Sequence, residues 1–133
     1  RLGLLPALEW LASDVAEYSA IAAKVSVIGT ERRLPEEVEL VLFRITQEAV
    51  RNVWRHSQAT KAEITVEFGE SKSRITVTDN GKGFNLPQRM GDLAREGRLG
   101  LAGMQERARL VNGTLTVQSE LAKGSSITVE IPA

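Results

Sequence analysis

Apolar residues recur at three- and four-residue steps over residues 4–23, where Leu4, Leu5, Leu8, Leu11, Ala12, Val15, Ala16 and Ala22 predict a helix. The stretch KVSVIG (24–29) reads as a short strand ending at Gly29. A loop follows in which Pro35 is suited to start a second helix, with Glu36 and Glu37 in the favourable first turn. That helix is expected to run from about 35 to 56. Residues 62–68 and 74–79 alternate apolar and polar, which predicts two strands joined by the hairpin GESKS. Residues 85–97 have mixed polarity and weak periodicity, as a mobile loop does. A third helix over 99–111 is ended by Asn112-Gly113, and two strands close the chain, at 114–119 and 125–131. Helices and antiparallel hairpins in this order predict an α/β two-layer sandwich: a mixed, mostly antiparallel sheet covered on one face by helices.

Composition narrows the chemistry. The 133 residues suffice for one domain, here taken as 1–133, with a single core. Lys plus Arg equals Asp plus Glu at 17 each, so the chain lacks the basic footprint of a nucleic-acid binder. With no cysteine there are no disulfides, thiolate zinc sites or cysteine nucleophiles, and a single histidine removes multi-His metal sites. No apolar run approaches the roughly 18 residues of a membrane helix, and no signal peptide opens the chain. RLGLLPALEW begins inside a helical pattern and reads as a fragment of something longer.

Three stretches depart from a plain core pattern, two of them by carrying polar residues where core residues belong. On the helix 35–56, Val38, Val41, Ile45 and Ala49 form one stripe, while Glu36, Glu37, Arg44, Gln47, Arg51 and Arg55 face solvent. The inward stripe continues into Asn52 and His56, with Glu48 at its edge. Burying such groups without partners costs about 1–3 kcal/mol each. Either they find backbone partners, the face emerges into solvent, or they serve a site. Asp79 directly follows the alternation of Ile75 and Val77 and precedes Gly81 and Gly83, so its carboxylate points into whatever the sheet covers. Gly100 and Gly103 open the third helix. They allow either close approach to a sheet or an anion site on bare backbone N–H groups. P-loop, Rossmann, protein-kinase and nucleophile-elbow motifs are all absent.

Together these stretches resemble the Bergerat ATP-binding fold shared by bacterial sensor histidine kinases, gyrase, the Hsp90 chaperones and the MutL mismatch-repair proteins. QEAVRNVWRHSQAT (47–60) resembles its N box, DNGKGF (79–84) its G1 box and GRLGLAGMQERA (97–108) its G2 box. GSSITVEIP (124–132) is similar to its closing glycine–hydroxyl strand. The spelling is close to the histidine kinases that pair with LuxR-type response regulators, and the likeness covers nearly the whole chain, including the helix LGLLPALEWLA.

The resemblance implies a role for each matching residue. Asp79 corresponds to the acceptor of the adenine amino group; a carboxylate bonds that donor strongly and repels the carbonyl of guanine. Gly81 and Gly83 would turn the chain under the base, beside Phe84. Asn52 corresponds to the Mg²⁺ ligand, a neutral oxygen suited to a hard ion already bridged by phosphates. Glu48 matches the catalytic acid of the N box, which orients a metal-bound water or assists proton transfer. Arg55 or His56 would meet the phosphates, and Gly100 and Gly103 would offer backbone N–H groups to them. Arg98, Leu99, Leu101 and Met104 complete the cofactor-binding set of the G2 box, and residues of about 85–99 form a short lid over it. Where the subgroup often has Gly-His, this chain has Gly97-Arg98; the residues leave open whether Arg98 replaces a phosphate contact. Ser125 stands where threonine is usual and keeps the hydroxyl that bonds around Asp79 and the base.

The implied function is binding of ATP and Mg²⁺ and, in the full-length protein, transfer of the γ-phosphoryl to a histidine, which asks for positioning and charge neutralisation. His56, inside the N box, is a poor acceptor; the family's acceptor lies on an upstream helical domain of a homodimeric parent. The phosphoryl group would then pass to a LuxR-type response regulator. The fragment itself should be a monomeric cytoplasmic domain, and membrane anchoring of the parent is left open. Two rivals share the fold: a serine protein kinase of the anti-sigma-factor type, which a genuine start methionine would favour, and a non-catalytic ATP-binding regulatory module, against which Glu48 and Asn52 speak.

Overall fold

Alternation of buried and open side chains builds the sheet that the pattern predicts. The computed structural model describes residues 3–54, 58–82, 101–119 and 123–132. In chain order these form helix α1 (Leu4–Tyr18), strand β1 (Ala22–Gly29), helix α2 (Glu36–Asn52), strands β2 (Lys61–Phe68) and β3 (Lys72–Asp79), helix α3 (Leu101–Leu110), and strands β4 (Thr114–Ser119) and β5 (Ser125–Pro132). The five strands make one sheet in the order β1-β2-β3-β5-β4. Only β1 and β2 run parallel; the other three pairings are antiparallel. The expected mixed, mostly antiparallel sandwich is therefore the architecture found.

One face of the sheet is apolar. Ala62, Ile64, Val66 and Phe68 of β2, Ile75 and Val77 of β3, and Ile127, Val129 and Ile131 of β5 are buried beneath the helices. The helices contribute Leu4, Leu8 and Leu11 from α1, Leu42, Ile45 and Ala49 from α2, and Met104 and Ala108 from α3. The other face is a polar lattice held in register. One row runs Ser26, Thr65, Thr76, Thr128, Thr116, and the next runs Ile28, Glu67, Arg74, Glu130, Thr114. The Thr76 and Thr128 hydroxyls meet at 3.2 Å, and Arg74 donates twice to Glu130, at 3.1 and 3.0 Å. Cross-strand pairs of this kind stabilise a solvated face without apolar burial.

Two helices are shorter than the periodicity suggests. The first was expected to reach residue 23 but ends at Tyr18. Ser19 turns extended, its hydroxyl donates to the Val15 carbonyl at 2.6 Å, and it accepts from the Ile21 N–H at 3.2 Å. Ala22 then donates to the Thr60 carbonyl at 2.9 Å and opens β1; two alanines carry too little information to tell helix from strand. Pro35 caps α2 instead of beginning it, its carbonyl accepting from Val38 and Glu39 N–H. The regular helix ends at Asn52, and residues 53–54 continue in a wider turn. Its buried face is Leu42, Ile45, Thr46, Ala49, Val50 and Asn52, with Val38 and Val41 only half-buried. The stripe is thus turned toward Leu42 and Thr46 relative to the sequence-based one. Thr46 satisfies itself by donating to the Leu42 carbonyl at 2.8 Å.

Glu39 is a buried carboxylate that the stripe passes over. It receives Arg33 Nε at 3.1 Å, a second guanidinium nitrogen at 2.9 Å and the Leu34 N–H at 3.1 Å. Burial pushes its carboxyl up, but these three donors and the Arg33 charge together outweigh that and hold it below its ordinary value of 4.5. The pair pins the loop 30–35 against α2. A depressed folded pKa stabilises the fold above the unfolded value, and the gain is lost as pH falls through the folded one. Glu39→Gln is therefore expected to cost about 1–2 kcal/mol at pH 7 and to flatten the acid limb of stability below about pH 4.5, as read by urea melts across pH.

Candidate functional site

The sheet ends on its polar exception. Residues 73, 75, 77 and 79 of β3 all face the helices, so the same alternation that buries Ile75 and Val77 carries Asp79 inward, where it is 7% exposed. Its carboxylate is held from two sides. The Gly81 N–H donates to Oδ1 at 2.8 Å, closing a tight turn over residue 80, and the Ser125 hydroxyl donates to Oδ2 at 2.7 Å. Among the described residues these two donors leave half of the carboxylate's lone pairs uncommitted.

Ser125 reaches Asp79 because β5 begins there, in register opposite it. What allows that approach is Gly124. Its φ is +84°, and a Cβ added to it would lie 2.1 Å from the Asp79 carbonyl oxygen. The Ser119 hydroxyl donates to the Gly124 carbonyl at 3.2 Å and ties the incoming strand to β4. On the other side, Asn80 joins β3 to the start of β2: its Oδ1 accepts from the Thr60 and Lys61 N–H groups at 3.0 and 2.9 Å.

Helix α2 packs on β3 and delivers the second set. Asn52 is 8% exposed at the last helical position, and Glu48, one turn earlier, is half-buried. A buried amide with a carboxylate one turn away is a donor set that fits a hard cation whose remaining ligands are phosphate oxygens and water. Among the described residues no group of three His, Asp or Glu side chains gathers to hold a metal by itself. On α3, Gly103 is exposed and a Cβ there would meet only the end of Arg107, at 3.4 Å. Close packing against the sheet therefore does not explain this glycine. Met104 beside it is wholly buried in the core, and Leu101 is the first residue of α3. Arg55, His56, Gly83, Phe84, Arg98, Leu99, Gly100 and the lid of about 85–99 lie outside the described residues.

The structure thus brings Asp79, Gly81 and Ser125 into direct contact, with Asn52 and Glu48 on the helix that covers β3. Two residues that build this arrangement escaped the site reading. Gly124 was visible only as part of a glycine–hydroxyl spelling, and its positive φ has no sequence signal beyond its being glycine. Asn80 stood only inside the DNGKGF spelling, and its partners, Thr60 and Lys61, lie about 20 positions away in the chain.

Comparison with known proteins agrees with this geometry. Residues 37–133 match the family described as histidine kinase-, DNA gyrase B- and HSP90-like ATPase. The chain is 34% identical over 131 residues to the signal transduction histidine-protein kinase/phosphatase DegS of Brevibacillus brevis, covering 98% of this chain and 33% of that protein. It is 42% identical over 95 residues to the sensor histidine kinase LiaS of Bacillus subtilis (strain 168), covering 71% of this chain and 25% of that one. The chain spans a third or less of the length of these relatives. The ATP binding domain of PrrB from Mycobacterium tuberculosis superposes with a TM-score of 0.78 at 23% identity, covering 98% of this chain and 94% of that one. The chain belongs to the histidine kinase-, DNA gyrase B- and HSP90-like ATPase family.

Gly124→Ala is expected to destabilise the fold by about 2–4 kcal/mol, from a strained φ and a Cβ driven into backbone, as measured by urea unfolding. Alanine at Gly103, which has room for it, is expected to change stability by under about 1 kcal/mol.

Proposed function

We propose that this member of the family is the ATP-binding catalytic domain of a sensor histidine kinase. It binds ATP through Asp79 and, in the longer parent protein, passes the γ-phosphoryl group to a histidine on an upstream dimeric helical domain. A LuxR-type response regulator then receives it. The single observation that carries this reading is the Asp79 carboxylate, buried at a strand end and held by Gly81 and Ser125 with lone pairs to spare. The likeness to DegS and LiaS supports the kinase side of it.

Each residue then has a task. The free lone pairs of Asp79 accept the adenine N6 amino group, a pure donor, and repel the guanine carbonyl. Ser125 and Gly81 keep the carboxylate aimed. Asn52, the buried amide of α2, would hold Mg²⁺, and the ion would supply neutralisation of phosphate charge when bound. Glu48 takes the proton-handling or water-orienting role one turn away. Gly103 leaves the start of α3 open to the phosphates, with Gly100 before it. In the transfer itself the bond from the γ-phosphorus to the bridging oxygen breaks as one to the acceptor imidazole nitrogen forms, and ADP leaves. His56 belongs to the N-box stretch and is not the acceptor proposed.

The test is nucleotide titration with magnesium or with chelator. Wild-type protein is expected to bind MgATP at micromolar to submillimolar concentration and to ignore GTP. Asn52→Ala is expected to lose most of the magnesium-dependent gain, on the order of tenfold, while retaining weak metal-free binding. Glu48→Gln is expected to bind ATP within about threefold of wild type. Equal affinity for GTP, or no binding by the wild type, overturns the reading.

A further inference from the structure

The turn that aims Asp79 has an anchor on its far side. Asp79 Oδ1 is oriented by the Gly81 N–H at 2.8 Å, so this one of the carboxylate's two supports is only as well fixed as the backbone of residue 80, which lies between them. Asn80 is exposed at the end of β3, yet its side chain makes three hydrogen bonds. Oδ1 accepts two consecutive backbone N–H groups, Thr60 at 3.0 Å and Lys61 at 2.9 Å, and Nδ2 donates to the Thr60 hydroxyl at 3.0 Å. Its own N–H donates to the Lys61 carbonyl at 3.2 Å.

The clamped segment is the connection that leaves α2. Gln58 in that connection carries a left-handed φ of 56°, Ala59 is buried, and the Thr60 carbonyl accepts the Ala22 N–H that opens β1. One exposed side chain therefore ties the strand end bearing Asp79 to the chain descending from Asn52, and through Thr60 to β1. An exposed asparagine with no structural duty would be free to point into water.

We infer that Asn80 is a positioning residue for nucleotide binding: by fastening the Asp79–Gly81 turn to Thr60 and Lys61, it holds the Asp79 carboxylate in the orientation that receives the base. The inference rests on the adenine reading of Asp79. It assigns Asn80 no contact with the nucleotide. Aspartate at this position keeps both oxygens for the Thr60 and Lys61 N–H groups, and the Thr60 hydroxyl can turn to donate to it. Alanine removes every side-chain bond.

The experiment combines calorimetric ATP titration with amide NMR on the whole chain, for wild type, Asn80→Ala, Asn80→Asp, Asp79→Asn, and Ile131→Val as a stability control in the core far from the turn. Asn80→Ala is expected to weaken ATP binding about tenfold and to shift the Gly81 amide resonance in the nucleotide-free protein. Asn80→Asp is expected to restore affinity to within about threefold of wild type, and Ile131→Val to bind as wild type despite its lower melting temperature. Unchanged ATP affinity and an unmoved Gly81 amide in Asn80→Ala, with Asp79→Asn still defective, overturn the inference and leave the adenine reading standing. If Asp79→Asn binds as wild type, or wild type does not bind, the adenine reading fails and the inference with it.

Discussion

A carboxylate buried at the end of a strand is the constraint around which the rest of this domain is arranged. A carboxyl group taken out of water needs partners, and Asp79 receives them from the Gly81 backbone and the Ser125 hydroxyl. Each requirement reaches further into the fold. The Ser125 hydroxyl can arrive only if β5 starts opposite Asp79, and β5 can start there only because Gly124 has no side chain to strike the Asp79 carbonyl. Gly81 can donate only if the turn is tight, and the turn is fastened by Asn80. A polar exception in an apolar face is thus supported by a glycine, a hydroxyl and an amide from two separate stretches of chain.

The two faces of the sheet divide the work. The helix-covered face supplies a continuous apolar core from β1 to β5, and α2, which carries Asn52 and Glu48, packs against β3 and β5. The open face is closed chemically rather than sterically, by threonine and ion-pair rows that satisfy one another across strands. Those exposed pairs contribute little individually, about 0–1 kcal/mol. At the opposite end from Asp79, Arg33 and Glu39 perform a separate task, locking the loop before α2 against its first turn. The domain therefore carries a structural ion pair at one end and, at the other, a carboxylate held by two donors among the described residues.

How much of this was legible in the sequence depended on whether neighbours or distant residues decide each feature. The strands β2, β3, β4 and β5 were readable because a period of two survives with one apolar face, and the bounds differ by at most two residues. The inward Asp79 followed from the same period. Helix ends were read less well: Ser19 ends α1 through its hydroxyl, which a stripe of leucines and alanines does not announce. Glu39 lies off the apolar stripe, and nothing local singles it out, because its partner, Arg33, sits in a loop whose path only tertiary structure sets. Gly124 and Asn80 act through contacts with residues 45 and about 20 positions away, so no local pattern could rank them above other turn residues. The motif spellings conveyed the family, and the geometry conveyed which residues hold Asp79.

The most direct test of the central claim asks whether the Asp79 carboxylate meets a donor on the base. MgATP and its analogue lacking the 6-amino group, purine riboside triphosphate, would be titrated calorimetrically into wild-type protein and Asp79→Asn. Wild type should prefer ATP over the analogue by about tenfold or more, and Asp79→Asn should lose that preference along with most of its ATP affinity. Equal binding of both nucleotides by the wild type, or an Asp79→Asn variant that binds ATP undiminished, would contradict it.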